Sequence, residues 1–213
     1  DPTSKASGDL RIGSPEDAAA PMQAEAIVFL LDASGSLRGE RLEKAKEALL
    51  RASEAVSKES EFALVVLYDC GDIRTGLALG HNQRRLRSRV ASIEAVGGTP
   101  LGDALQKSFE LLTKTSRHEP DARRIVLLSD GRSTCGSNPV SVVSAWKKLN
   151  PPSLAIVGLE VGTADEAQLK RIAEEAGGVY QKATRENVRQ VLRRSLDGSK
   201  PSNDPDASEG RPE

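Results

Sequence analysis

Apolar residues follow two alternating patterns along this chain. Uninterrupted apolar runs at 26–31 and 62–68 are typical of strands that are covered on both faces of a sheet. Apolar residues at three- and four-residue steps predict an amphipathic helix over 38–58. The patterns continue to residue 195, with strands predicted over 124–129, 154–161 and 179–181 and helices over 83–93, 101–113, 140–149, 165–176 and 185–195. Strands that alternate with helices in this way predict a doubly wound α/β domain with a mostly parallel sheet.

One further strand, over 73–79, breaks this alternation. Only the short turn Cys70-Gly71-Asp72 separates it from the preceding strand, too little for a crossover, so we expect it to pair antiparallel at an edge of the sheet. The segments 1–24 and 197–213 lack a hydrophobic period and are rich in turn-forming residues. We therefore expect one domain over 25–196, between a disordered N-terminal linker and a disordered C-terminal tail.

Charge and composition exclude several classes of partner. The 213-residue chain has a net charge of −1, while residues 25–196 carry 22 acids and 26 bases. This mild positive excess, together with only six aromatic residues, argues against a nucleic-acid partner. No apolar run approaches the roughly 18 residues of a membrane span, so we expect no direct membrane insertion. The basic run at 84–89 is interpreted as a solvated helix face, with anionic polymer or lipid head groups as the alternative.

Hydroxyl and carboxylate side chains occur in the turns where a doubly wound sheet binds its ligands. The turn after the first strand contains Asp32, Ser34 and Ser36 at alternate positions, and a later strand ends directly before Asp130. Between them, Thr99 follows a diglycine in a loop. Oxygen ligands of these kinds suit Mg²⁺, with Mn²⁺ or Ca²⁺ as alternatives, and suit zinc or copper poorly.

Two of these residues also have a purely structural interpretation. Ser36 could cap the helix that follows it, and Thr99 could cap a helix that has Pro100 at its first position. Each interpretation is adequate for its own motif taken alone. The complete set of motifs, in this order and at these element ends, is much more specific.

That set resembles the von Willebrand factor type A domain and its metal-ion-dependent adhesion site, over roughly residues 25–196. The Asp-x-Ser-x-Ser motif of the family falls on Asp32, Ser34 and Ser36, its threonine on Thr99 and its later aspartate on Asp130. The resemblance implies a six-stranded, Rossmann-like sheet of order 3-2-1-4-5-6 with one antiparallel edge strand. It also implies that both serines, with either Thr99 or Asp130, contact a cation directly while the remaining ligands act through water.

The resemblance further implies a function in binding rather than catalysis. The bound cation keeps an open coordination position, which an Asp or Glu side chain of a protein partner fills. The chain is thus expected to be a cation-dependent protein-binding or adhesion module, a monomeric domain and not an enzyme.

The two cysteines carry a narrower resemblance, to a bacterial branch of the family that often has two cysteine pairs. Cys70 and Cys135 match one pair, while the other pair would fall near Val140 and Arg171, where no cysteine is present. The resemblance implies a Cys70–Cys135 disulfide beside the metal site and an extracytoplasmic location, whether secreted, periplasmic or surface-anchored. Two free thiols in a cytoplasmic protein are the alternative.

Two other functions stay open. Acidic residues with Mg²⁺ at strand ends also serve phosphoryl transfer, so a Mg-dependent hydrolase or phosphotransferase is one of them. Against it, Ser34 stands where a phosphatase of this topology needs a second acid, and neither His81 nor His118 is placed to activate a serine nucleophile. The second is a structural subunit whose metal site is unused.

Overall fold

A computed structural model describes residues 24–196. The predicted linker over 1–24, apart from Ala24, and the predicted tail over 197–213 lie outside the described residues. The strands are β1 (Ala26–Asp32), β2 (Glu61–Asp69), β3 (Asp72–Gly80), β4 (Arg123–Ser129), β5 (Ser153–Leu159) and β6 (Val179–Ala183). The α-helices are α1 (Glu40–Ala55), α2 (Gln83–Ala91), α3 (Leu101–Thr115), α4 (Pro139–Trp146), α5 (Thr163–Glu175) and α6 (Val188–Leu196). No helix in this part of the chain combines the length and the apolar character that crossing a membrane requires.

The strands form one sheet in the order β3-β2-β1-β4-β5-β6. β1 pairs in parallel with both β2 and β4, and β3 is the antiparallel strand at one edge. This topology confirms the predicted doubly wound α/β fold. The winding direction reverses at β1, so the carboxyl ends of β1 and β4 flank the crevice where sheets of this kind bind ligands.

The central strands are apolar on both faces because helices cover both sides of the sheet. All seven residues of β1 are buried. Its residues Ile27, Phe29 and Leu31 belong to the core formed with α1, α2 and α6, whereas Val28 and Leu30 belong to the core formed with α3, α4 and α5. The two cores fix the strand ends, and the polar residues follow in the turns.

Two helices begin later than the apolar pattern predicted. α1 begins at Glu40 rather than at residue 38, because a 3-10 turn over Gly35–Leu37 and then Gly39, with a φ of 84°, separate it from β1. α6 begins at Val188 rather than at residue 185. The preceding residues form a turn, in which the side chain of Asn187 accepts a hydrogen bond from the backbone N–H of Thr184 at 2.8 Å.

Candidate metal centre

The carboxylate of Asp32 lies at the carboxyl end of β1 and is completely buried. Its Oδ1 accepts a hydrogen bond from the backbone N–H of Ser34 at 2.8 Å, and its Oδ2 accepts one from the hydroxyl of Ser129. No basic side chain among the described residues forms an ion pair with it. Hydroxyl and amide groups alone therefore hold this carboxylate in place.

A chain of hydrogen bonds joins the turn after β1 to the end of β4. Ser34 Oγ lies 3.1 Å from Ser36 Oγ, and Ser36 Oγ donates to Asp130 Oδ1 at 2.8 Å. Residues that are distant in sequence meet here because β1 and β4 are adjacent and parallel. Four of the five predicted metal ligands, namely Asp32, Ser34, Ser36 and Asp130, thus form one connected cluster.

The fifth predicted ligand, Thr99, is fixed near the cluster by its backbone. The carbonyl of Gly97 accepts a hydrogen bond from the N–H of Gly35 at 3.0 Å, which ties the loop that contains Gly97 and Gly98 (the diglycine loop) to the turn after β1. On the other side, the N–H of Thr99 donates to the hydroxyl of Thr134 at 2.8 Å. Thr99 is buried, and its hydroxyl forms no hydrogen bond with a described residue, so that oxygen is available as a ligand.

A disulfide joins Cys70, which follows β2, to Cys135 in the loop after β4. This is the pairing that the family resemblance implied. Because β1 lies between β2 and β4, the bridge connects the segments on the two sides of the Asp32 turn. The bridge also contacts the diglycine loop, since a Cβ on Gly98 would lie 3.1 Å from the Sγ of Cys70.

A further carboxylate, that of Asp69, holds the diglycine loop. Its Oδ1 accepts hydrogen bonds from the N–H of Gly98 at 2.8 Å and of Cys70 at 2.7 Å, and these bonds lower the pKa of Asp69. Gly97 has a φ of 64°, and a Cβ there would lie 2.2 Å from the Cγ of Asp69. Only glycine fits this position. From the sequence, Asp69 is equally well interpreted as an acceptor that supports the metal site or as a surface carboxylate, and its bond to Gly98 was not predicted.

A network of charged side chains lies beside Asp130, and of its members the sequence indicated only Glu160, as a residue at the rim of the site. Arg41 on α1 places its Nη1 3.5 Å from Asp130 Oδ2, and its Nε donates to Glu160 Oε2 at 2.9 Å. Arg185 donates to the other oxygen of Glu160 at 2.6 Å and to Glu40 at 2.7 Å. Burial acts to raise the pKa of Glu160, but the hydrogen bonds and charges of Arg185 and Arg41 outweigh it and lower that pKa.

Too little positive charge lies near the two carboxylates of the cluster to offset the effect of their burial. Burial raises the pKa of Asp32 from 3.8 to about 6, against the opposing effect of its hydrogen bonds. Burial likewise raises the pKa of Asp130, even though Ser36 and Arg41 act to lower it. Their ionised forms are therefore destabilised, and a divalent cation would relieve this. Two carboxylates with several hydroxyl oxygens fit a hard cation such as Mg²⁺.

Both histidines lie beside the start of β2, at the amino ends of the parallel strands and therefore at the end of the sheet opposite the cluster. His81 Nδ1 is 3.0 Å from the carbonyl oxygen of Ser60, and His118 Nε2 is 3.5 Å from Glu61 Oε2. Within residues 24–196, no group of three or more His, Cys, Asp or Glu side chains is arranged to hold a metal ion. The candidate centre therefore depends on hydroxyl ligands, and neither histidine is placed to activate Ser34.

Similar proteins are found among both curated sequences and solved structures. Inter-alpha-trypsin inhibitor heavy chain H4 of Homo sapiens is 30% identical over 162 residues, which are 72% of this chain and 17% of that protein. The chain thus spans about a sixth of the length of this relative. The uncharacterized protein YwmC of Bacillus subtilis is 25% identical over 206 residues, covering 84% of this chain and 88% of that protein.

Solved structures share the fold. The structure described as von Willebrand factor type A from Catenulispora acidiphila superposes with a TM-score of 0.69 at 19% identity, and the match covers 81% of this chain and 42% of that one. The family model described as von Willebrand factor type A domain matches residues 26–194. This match runs from the start of β1 into α6, and the chain therefore belongs to the von Willebrand factor type A domain family.

Proposed function

We propose that this domain is a divalent-cation-dependent protein-binding module that recognises an acidic residue of a protein partner. The residues that would hold the cation are Asp32, Ser34, Ser36, Thr99 and Asp130. Mg²⁺ is the proposed ion, with Mn²⁺ or Ca²⁺ as alternatives. The observation that carries the proposal is the hydrogen-bonded cluster of carboxylates and hydroxyls at the ends of two adjacent parallel strands. Domains of this family typically mediate protein–protein interaction or adhesion and commonly bind a divalent metal.

The charge at the cluster explains why an acidic partner would be recognised. Asp32 and Asp130 supply two negative charges, and the nearby guanidinium of Arg41 offsets part of them. A bound cation would supply an electrophilic centre that accepts one further oxygen ligand. Ser36 is exposed whereas Asp32 and Thr99 are buried, so a partner's carboxylate would approach from the side of Ser36.

Binding in this proposal requires no catalytic residue, and we assign none. The domain is proposed to act as a monomer and to present its cluster to a separate protein. The Cys70–Cys135 disulfide supports an extracytoplasmic location, because disulfides persist mainly in oxidising compartments.

The test is cation-induced stabilisation of the purified protein. Adding MgCl₂ after removal of metal with EDTA is expected to raise the melting temperature of the wild-type protein. Asp32→Ala should fold and show no such rise. Asp121→Ala is the matched control, because Asp121 is an exposed carboxylate in the turn before β4, at the opposite edge of the sheet. Equal Mg²⁺-dependent shifts in all three proteins would reject the proposed site.

Recognition of an acidic residue needs its own experiment. Random peptides selected on the wild-type protein in MgCl₂ should be enriched in Asp or Glu and should be released by EDTA. Replacing the acid of a selected peptide by its amide should abolish binding. Peptides that bind equally well in EDTA would contradict the mechanism.

A separate assay addresses the enzymatic alternative. Turnover of phosphomonoesters in the presence of Mn²⁺ that Asp130→Asn abolishes would also contradict the proposed function.

A further inference from the structure

The helical layer formed by α1, α2 and α6 presents arginines that the candidate metal centre does not use. α1 packs against both α2 and α6 and therefore lies between them. Eight exposed arginines lie on these three helices, and we call five of them the arginine face: Arg84 and Arg87 of α2, Arg51 of α1, and Arg189 and Arg193 of α6.

Positive charge on the arginine face is only partly compensated. Arg51, Arg189 and Arg193 line a hollow of about 200 Å³ between α1 and α6, and Glu54 is the acidic side chain in its lining. Glu54 pairs with Arg51 at 3.2 Å and also with Arg87 of α2. The other three members of the face form no ion pair within residues 24–196. Among the described residues, Glu54 is thus the one carboxylate that pairs with the face, and it pairs with two of the five arginines.

The arginine face lies far from the metal centre along the helices. α1 begins beside the carboxyl end of β1, and Arg51 is on its last turns. The first residue of α2, Gln83, donates from its side chain to Ser53 Oγ at 2.8 Å, which places the start of α2 beside the end of α1. The face is therefore nearer the amino ends of the parallel strands, away from the carboxyl ends that hold the cluster. A ligand bound to the face would leave the cluster around Asp32 accessible.

We propose that the arginine face binds a soluble acidic polysaccharide that carries sulfate groups. Guanidinium groups bind these anions through paired, charge-assisted hydrogen bonds, and arginines on three neighbouring helices can contact successive groups of one polymer. The large apolar side chains exposed in the described part of the chain are Val96 and Leu149, which lie on none of these helices. Without an apolar anchor on the face, a polymer in solution is a better match than a membrane.

The basic run at 84–89 alone did not require this conclusion, because a solvated helix face explains it equally well. The structure adds Arg51, Arg189 and Arg193, which are distant from that run in sequence. Their side chains converge on one hollow beside Arg87 and its partner Glu54. The charge is thus concentrated across three helices, which a sequence pattern does not reveal.

The test compares two triple variants that lose the same net charge. Arg84→Gln/Arg189→Gln/Arg193→Gln replaces three of the five arginines of the face, while Lys114→Gln/Lys148→Gln/Arg171→Gln replaces three exposed basic residues on the other helical layer. On immobilised heparin, the first variant should elute at lower salt than wild type. Its slope of log K against log salt should fall by about 2 to 3, close to one for each arginine that is replaced. The second variant should behave like the wild-type protein.

Equal losses of heparin affinity in both variants would show a dependence on net charge alone and would overturn the proposal, as would failure of the wild-type protein to bind heparin. Binding to phosphatidylglycerol vesicles without binding to heparin would overturn it in favour of a membrane. Thermal melts of both variants establish that each is folded. Wild type in EDTA and Asp32→Ala should bind heparin normally, so this result is separable from the metal-dependent function.

Discussion

Asp32 combines complete burial with a carboxylate that hydroxyl and amide groups alone surround. A carboxyl group whose pKa is higher in the folded chain binds more protons when folded, at pH values between the folded and unfolded pKa. The contribution of protonated Asp32 to the free energy of unfolding is therefore fully present below its unfolded pKa of 3.8. It is lost as the pH rises through its folded pKa of about 6. At neutral pH this loss is about 3 kcal/mol.

This shift predicts an unusual dependence of stability on pH in the metal-free protein. In EDTA, the contribution of Asp32 lowers the free energy of unfolding by about 2 kcal/mol between about pH 4.5 and about pH 6.5. Urea denaturation of wild type and Asp32→Asn at the two pH values measures that contribution by difference. The wild-type protein should lose more stability than the variant as the pH rises, and an identical change in both proteins would contradict the assignment.

Arg41 provides a second prediction, about cation affinity. Its guanidinium lies 3.5 Å from an oxygen of Asp130 and repels a cation at the cluster. Since the Arg41 side chain is 42% exposed, solvent screens this repulsion, and we expect about 1 kcal/mol or less. Arg41→Ala should therefore bind Mg²⁺ up to about five-fold more tightly in isothermal titration calorimetry.

The matched control is Arg38→Ala. Arg38 lies three residues before Arg41 in the connection between β1 and α1, is exposed, and reaches the carbonyl of Ala95 at 3.5 Å rather than a carboxylate of the cluster. Its removal should leave the affinity for Mg²⁺ nearly unchanged. Weaker binding by Arg41→Ala would show that this arginine supports the site instead of opposing the cation.

Among the elements, the diglycine loop is held to its surroundings by hydrogen bonds from two sides. The turn after β1 contacts it through Gly35, and Asp69 at the end of β2 accepts a hydrogen bond from Gly98. Gly97 occupies a left-handed backbone conformation directly against Asp69. The position of Thr99, two residues further on, therefore depends on a backbone geometry that side chains elsewhere enforce.

A Cβ at Gly97 should disrupt this arrangement. We expect Gly97→Ala to lower the free energy of unfolding by about 1 to 3 kcal/mol, because it adds backbone strain and forces Asp69 away. Gly131→Ala is the control: it lies beside Asp130, but a Cβ there meets nothing within 4 Å. Urea denaturation of the two variants should separate them clearly, and equal stabilities would refute this role of Gly97.

Across the whole molecule, the disulfide closes a ring with a sequence separation of 65 residues that contains β3, α2, α3 and β4. Cys70→Ser/Cys135→Ser should lower the free energy of unfolding by about 2 to 4 kcal/mol. The variant should also bind Mg²⁺ more weakly, because the loop after β4 that contacts Thr99 is no longer tied to β2. Wild type treated with a reductant should match the variant in urea denaturation, whereas unchanged stability in either would contradict the prediction.

Local patterns in the sequence were sufficient to predict the fold. Continuous apolar runs indicate buried parallel strands, whereas apolar residues at three- and four-residue steps indicate amphipathic helices. The cluster was also predictable, because Asp32, Ser34, Ser36 and Asp130 follow strands whose adjacency the fold class implies. The starts of α1 and α6 were wrong because backbone turns, not apolar spacing, decide them. Arg41 was missed, and the sequence could not decide whether Asp69 supports the metal site or is a surface carboxylate, because their contacts join segments whose pairing no local motif encodes.

The covalent link between β2 and the loop after β4 also determines how the domain would carry force. A partner held at the candidate metal centre and pulled away would load the turns after β1 and β4. Tension entering the loop after β4 would pass to β2 through a sulfur–sulfur bond, in addition to the backbone hydrogen bonds between neighbouring strands. A module built in this way is reinforced at the edge where its ligand would pull.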